Sequence, residues 1–152
     1  MDTENYYAET AMMIRKPIHE VFKAFIDPEI TTKFWFTKSS GNLLESKAVT
    51  WTWEMFNHSV EVLPLSITTN EKIKIQWGDD REALVHFKFE AISQNKTFVS
   101  IYNTGLKGST SDIIAQIRDA TGGFSWVLAG LKAYLEHDIQ LHLIADRYHN
   151  KE

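Results

Sequence analysis

Hydrophobic and polar positions along this chain follow two different periods, and the switch between them marks out the elements. Residues 6–15 alternate, with Ala8, Met12 and Ile14 on one side and Glu9 on the other, which predicts a strand. Pro17 then opens a helix at its first position, where a missing N–H costs nothing. Ile18, Val21, Phe22, Phe25 and Ile26 follow at helical spacing and form one apolar stripe. Asp27-Pro28 ends this helix and starts a second, short one reaching Phe34 or Trp35, with Asp27 as its cap. Ser39-Ser40-Gly41-Asn42 reads as a loop.

From residue 48 the period becomes two. In "VTWTWEMF", residues 49–56, Val49, Trp51, Trp53 and Met55 share one face. A weaker run over 59–67 contains Pro64, which predicts an edge or a bulge. Residues 72–77 place Ile73, Ile75 and Trp77 against Lys72, Lys74 and Gln76, and Gly78-Asp79-Asp80 is a turn signal. Residues 83–91 place Val85, Phe87 and Phe89 against His86, Lys88 and Glu90. Residues 97–104 form a further strand, on which Phe98, Ser100, Tyr102 and Thr104 are assigned to the inner face. Strands with one wet and one buried face belong to an antiparallel sheet covered on one side.

The remainder is helical. Ile113, Ile114 and Ile117 lie in a helix over 111–121, Gly122-Gly123 interrupts, and a long helix is expected from Phe124 to about Tyr148. Only that helix is large enough to cover the sheet. The order predicts an α+β fold, one domain over residues 1–152.

Composition narrows the use of such a fold. The chain has 152 residues, 43% hydrophobic and 24% charged, the proportions of a globular protein. A net charge of −4 with no basic stripe argues against nucleic acid. There is no Cys, and the acidic, polar "MDTENYYAET" is unlike a signal peptide, so a cytoplasmic location is expected. No apolar run approaches the roughly 20 residues of a membrane span.

Catalytic signatures are missing. "GLKGST" at 105–110 lacks the spacing of a phosphate loop, and His19-Glu20 lacks the second His of a zinc-peptidase helix. His137 and His142, five apart, do not share a helix face for one metal. Glu136-His137-Asp138 reads as a solvated helical turn. No cofactor is implied.

The closing "GGFSWVLAGLKAYLEHD" resembles the terminal motif of the START-like, helix-grip superfamily, in the branch named after the activator of the heat-shock-protein-ninety ATPase. "VFKAFIDPE", "VEVLPLSITTNEKIKIQW" and "HFKFEAISQNKTFVSIYNTGL" are similar to the same branch. The resemblance covers nearly the whole chain. It implies the helix-grip (birch-pollen-allergen-like) arrangement: a curved antiparallel sheet around a long C-terminal helix, with two short helices after the first strand and room for a cavity between. One departure is that "SKAVTWTWEMFNHSVEV" has no glycine, where branch members carry a Gly-rich turn; the turn is placed near Asn57-His58.

Three functions follow from this reading. The first is a non-enzymatic binding protein holding a small apolar molecule (lipid, polyketide or flavonoid-like). Its expected ligand-binding residues are Trp51, Trp53, Trp77, Phe87, Phe89 and Tyr102 on the sheet and Phe124, Val127, Leu131 and Tyr134 on the helix. A filled aromatic core is the competing reading for each of them alone. The second is a co-chaperone-like module with a chaperone partner, as the branch name implies. The third is a cyclase- or hydrolase-like enzyme on hydrophobic substrates, which would need a paired carboxylate and histidine in the cavity.

Overall fold

A computed structural model describes residues 6–78 and 83–149. Seven strands form one antiparallel sheet in the order β1-β7-β6-β5-β4-β3-β2. They are β1 (Ala8–Ile14), β2 (Lys38–Ser39), β3 (Val49–Trp53), β4 (His58–Thr68), β5 (Lys72–Trp77), β6 (Leu84–Ser93) and β7 (Lys96–Thr104). Helices α1 (Ile18–Ile26) and α2 (Pro28–Thr31) follow β1, and α3 (Thr110–His137) and α4 (Leu143–Arg147) close the described chain. The sheet curves around α3, the α+β helix-grip arrangement that the sequence resemblance implies.

The predicted stripe of α1 faces the core: Val21, Phe22 and Phe25 are buried. Pro17 is the residue before the helix rather than its first member, and its carbonyl accepts from the N–H groups of Glu20 and Val21. Asp27 caps α2 by accepting from the Glu29 N–H at 3.0 Å. Thr31 is wholly buried, and its hydroxyl donates to the carbonyls of Ala24 and Asp27, which fixes the elbow between the two helices.

The hairpin without glycine uses other means. β3 ends at Trp53, Glu54–Phe56 make one 3-10 turn, and Asn57 takes the left-handed conformation (φ 48°) before β4 begins. Asn tolerates that region better than other side chains, so it substitutes for the missing glycine. Met55 therefore does not continue the alternation of Trp51 and Trp53. Pro64 sits at the predicted bulge, where the β4–β5 register shifts between Pro64 and Ser66. It is not on an edge strand, but it lies beyond Val62, the last β4 partner of β3, and there its carbonyl accepts from Ser46 N–H. Of the predicted turn after β5, Gly78 has φ 77°, whereas Asp79 and Asp80 lie outside the described residues.

Two expectations are corrected. On β7 the inner face carries Thr97, Val99, Ile101 and Asn103, so Ser100, Tyr102 and Thr104 face outward with Phe98. The alternation misled because the outer face holds two aromatic residues and the inner face two polar ones. Both inward polar side chains are bonded: Thr97 Oγ1 donates to Lys16 O at 2.9 Å, and Asn103 Nδ2 donates to Leu84 O at 3.0 Å.

The second correction concerns the terminal helix. Gly122-Gly123 does not interrupt it; α3 runs unbroken for 28 residues, about 42 Å at 1.5 Å per residue. Each glycine costs about 1 kcal/mol relative to Ala, but Phe124, Val127, Leu128 and Leu131 are all buried on the sheet side and hold the helix in place. Ser109 and Asp112 form a reciprocal capping box at its start. The helix ends at His137, not near Tyr148, because Asp138 turns left-handed (φ 54°). His137 and His142 thus belong to no common helix, and Ile139 and Leu141 are exposed.

The end of α3 is tied to β1. Lys132 Nζ donates to Met13 O at 2.9 Å and to Glu136 Oε2 at 2.6 Å, while that carboxylate also accepts from Arg15 N–H at 2.9 Å. Thr10 and Ser125 hydroxyls meet at 2.8 Å higher up. Burial would raise the Glu136 carboxyl pKa, but the hydrogen bonds from Lys132 and Arg15 outweigh it and hold the group below its usual value. Glu136 is a structural residue, not a solvated one.

Candidate functional site

The inner face of the sheet meets two different environments. Towards α1 the space is filled: the rings of Phe22, Phe25, Phe87 and Phe89 pack at 5.2–5.7 Å, edge-to-face or tilted. Towards the start of α3 it is open.

The boundary between them is Trp35. The rings of Phe25, Phe36, Trp51, Trp77, Phe87 and Phe124 lie 4.9–6.5 Å from its own. Trp35 was legible only as the end of a short helix. The available signal was the run Phe34-Trp35-Phe36, three consecutive aromatic residues without alternation, all of them buried. Phe36 stacks on Trp51 with centroids 4.4 Å apart and planes at 21°. Trp51, only 1% exposed, is thereby packing rather than lining.

Beyond Trp35 lies a cavity of about 600 Å³. Trp53, Val60 and Trp77 of the sheet form one side; Ala120, Gly123, Phe124 and Val127 of α3 form the other. Phe56 contributes from the β3–β4 turn, Leu106 from the loop after β7, and Ile144 and Tyr148 from α4 and its end. Trp77 and Phe124 pack together on its floor, tilted, with ring centroids 5.9 Å apart. The polar lining consists of His58, Asn103, Gln116 and Asp119. His58 and Asp119 are exposed, so they belong to the mouth, whereas Asn103 is buried. A polar mouth over an aromatic floor suits a ligand that is apolar with one polar edge.

Of the ten expected ligand-binding residues, the structure places Trp53, Trp77, Phe124 and Val127 on this cavity. Phe87, Phe89 and Leu131 are buried in the filled half of the core. Tyr134 is half-buried and away from the cavity. Tyr102 is on the outer face: Lys88 Nζ sits 5.5 Å above its ring, and burial together with Glu9 pushes its phenol up. Ile144 and Tyr148 were not foreseen, since they fell in what read as one continuous helix.

The outer sheet face is cationic at its centre. Lys72 stands opposite Lys88, and Lys74 opposite His86. Burial, then Lys74 and Lys88, push the His86 pKa down, and its Nε2 lies 3.1 Å from Thr104 Oγ1. Among the described residues no three His, Cys, Asp or Glu side chains come together as a metal site. No helix among them is long and apolar enough to cross a membrane.

Comparison with known proteins agrees with this architecture. Residues 15–136 match the family described as Activator of Hsp90 ATPase homolog 1-like protein. Protein SSP2350 from Staphylococcus saprophyticus is similar over 89% of this chain and 95% of its own, with 27% identity and a TM-score of 0.76. Aha1 from Colwellia psychrerythraea, solved as a dimer, shares the fold over 86% of this chain and 96% of its own, at 17% identity and a TM-score of 0.74. DynU16, a protein in the dynemicin biosynthetic locus, superposes over 90% of this chain and 49% of its own, at 13% identity and a TM-score of 0.78. No curated protein matches the sequence.

Proposed function

Since this chain belongs to the activator of Hsp90 ATPase homolog 1-like family, whose fold leaves space between sheet and long helix, we propose that it binds a small, largely apolar molecule there. The observation that carries this reading is the 600 Å³ cavity floored by Trp53, Trp77 and Phe124. Its volume falls within the range of about 300–1,000 Å³ typical of small-molecule sites. Affinity comes from burying apolar ligand surface, at roughly 25 cal/mol per Å² before ordering costs. Orientation comes from the mouth, where Gln116, Asp119 and His58 can bond one polar edge. The centre of the outer face, where Lys72, Lys74 and Lys88 stand exposed or half-exposed, is charged, which ranks a chaperone-docking role there below ligand binding.

Titration with 1-aminoanthracene tests the proposal, followed by tryptophan quenching and amide NMR shifts. Saturable one-to-one binding is expected, with shifts at Trp53, Trp77 and 120–127. Trp77→Ala should weaken it about tenfold or more, and Tyr102→Phe on the outer face should leave it unchanged. Equal loss in both variants, or shifts confined to the outer face, would reject the cavity as the site.

A further inference from the structure

A second cavity, of about 230 Å³, lies between α2 and the segment around α4. Alone it is below the size of an ordinary ligand site. Phe34, Met55 and Leu143 line it together with the polar Lys33, Gln140 and His142, and it shares two residues with the large cavity: Trp35 and Ile144. These two residues therefore lie between the chambers.

The halves of this wall differ in how they are held. Trp35 is fixed on the sheet side by the surrounding rings, from Trp51 at 4.9 Å to Phe25 at 6.5 Å. Ile144 is carried by the five-residue α4, reached through Asp138 and His142, both left-handed non-glycine residues (φ 54° and 56°). Tyr148 N–H donates to the Ile144 carbonyl at 3.1 Å, and the Tyr148 hydroxyl seats against Gly123 of α3, 3.0 Å from where a Cβ would stand. Ile144 itself is 7% exposed. A buried isoleucine thus stands between a large, mainly apolar room and a small one of mixed lining.

We infer that Ile144, backed by Trp35, determines the shape of ligand this protein accepts. With the wall in place the site takes a compact, ring-shaped apolar molecule. An extended chain, such as a long acyl group, must fold back on itself to fit the large chamber alone and is disfavoured. Without the Ile144 side chain the chambers join into one elongated site. This inference rests on the ligand-binding reading above.

The test compares two probes, 1-aminoanthracene and hexadecanoic acid, by calorimetric titration on the full chain and on Ile144→Ala. The parent protein is expected to bind the aromatic probe at least tenfold more tightly than the fatty acid. Ile144→Ala should reduce that preference at least tenfold, mainly by improving fatty-acid binding. Ile144→Val, a smaller truncation that keeps the helix packed, should move the ratio in the same direction by less; near-ultraviolet circular dichroism reports whether each variant is folded. If both probes bind and the ratio stays put in the folded variants, the partition has no role while ligand binding stands. If neither probe binds the parent protein, the ligand-binding reading falls and this inference with it.

Discussion

Two glycines in α3 are predicted to respond unequally to the same substitution. At Gly122 an added Cβ would meet nothing within 4 Å. Gly122→Ala therefore keeps the full helix-propensity gain, about 0.8–1 kcal/mol. At Gly130 the Cβ would stand 3.2 Å from both Cβ and the backbone O of Phe34. Phe34 is buried and begins the aromatic run that ends at Phe36, so its backbone has little room to retreat. Overpacking of this kind costs about 1–3 kcal/mol. Set against the same propensity gain, Gly130→Ala should range from neutral to about 2 kcal/mol destabilised. The two variants should then differ by about 1–3 kcal/mol. With a urea slope of about 2 kcal/mol/M for a small protein, their unfolding midpoints separate by roughly 0.5–1.5 M, Gly122→Ala above the parent and Gly130→Ala at or below it. Parallel urea titrations followed by far-ultraviolet circular dichroism measure this. If both midpoints rise together, the close approach of Phe34 to α3 is not a constraint, and the reasoning about how the aromatic plug seats against the helix is refuted.

Two further predictions concern charge. Glu136→Gln should cost about 1–3 kcal/mol near pH 7 by weakening charge-assisted bonds to Lys132 and Arg15. Because the folded carboxyl is held below its usual pKa, its contribution is complete above about pH 4.3 and fades as pH falls through the folded value; melts at pH 7 and pH 3 should show the gap between parent and variant closing, and a constant gap would contradict the assignment. His86 is disfavoured from protonating in the fold, so between its folded pKa and about 6.5 the unfolded chain binds more protons and stability rises with pH. Lys74→Gln should move the His86 ring titration upward in an NMR pH series, and an unmoved pKa would remove Lys74 as a cause.

What was legible in the sequence was whatever obeys a single period. Ile73 and Ile75, or Val85, Phe87 and Phe89, alternate cleanly because β5 and β6 are central strands with one face in the core. β7 broke the rule because inward Thr97 and Asn103 satisfy their bonds internally, to Lys16 and Leu84, partners no local pattern reveals. The helix through Gly122-Gly123 was missed for a related reason: propensity counted against it, and packing against the sheet overrode it. The end of that helix at His137 was missed because Ile139 and Leu141 maintained the apolar spacing although both lie exposed. The cavity was the least legible part. Trp51 and Trp53 look alike in sequence, yet one is stacked on Phe36 and the other borders open space. The difference is made by Trp35 and Phe36, which come from outside the alternating segments altogether.

The strap between α3 and β1 also has a bearing on the order of events on the ribosome. Arg15 and Glu136 are 121 positions apart, and Thr10 and Ser125 are 115 apart. β1 is thus synthesised well before its hydrogen-bonding neighbour β7 and its covering helix α3, and must wait for both. Contacts of such long reach slow folding, and they leave the nascent amino-terminal strand open to wrong partners in the interval. Closure of this fold therefore waits for the synthesis of α3, whatever the cavity later holds.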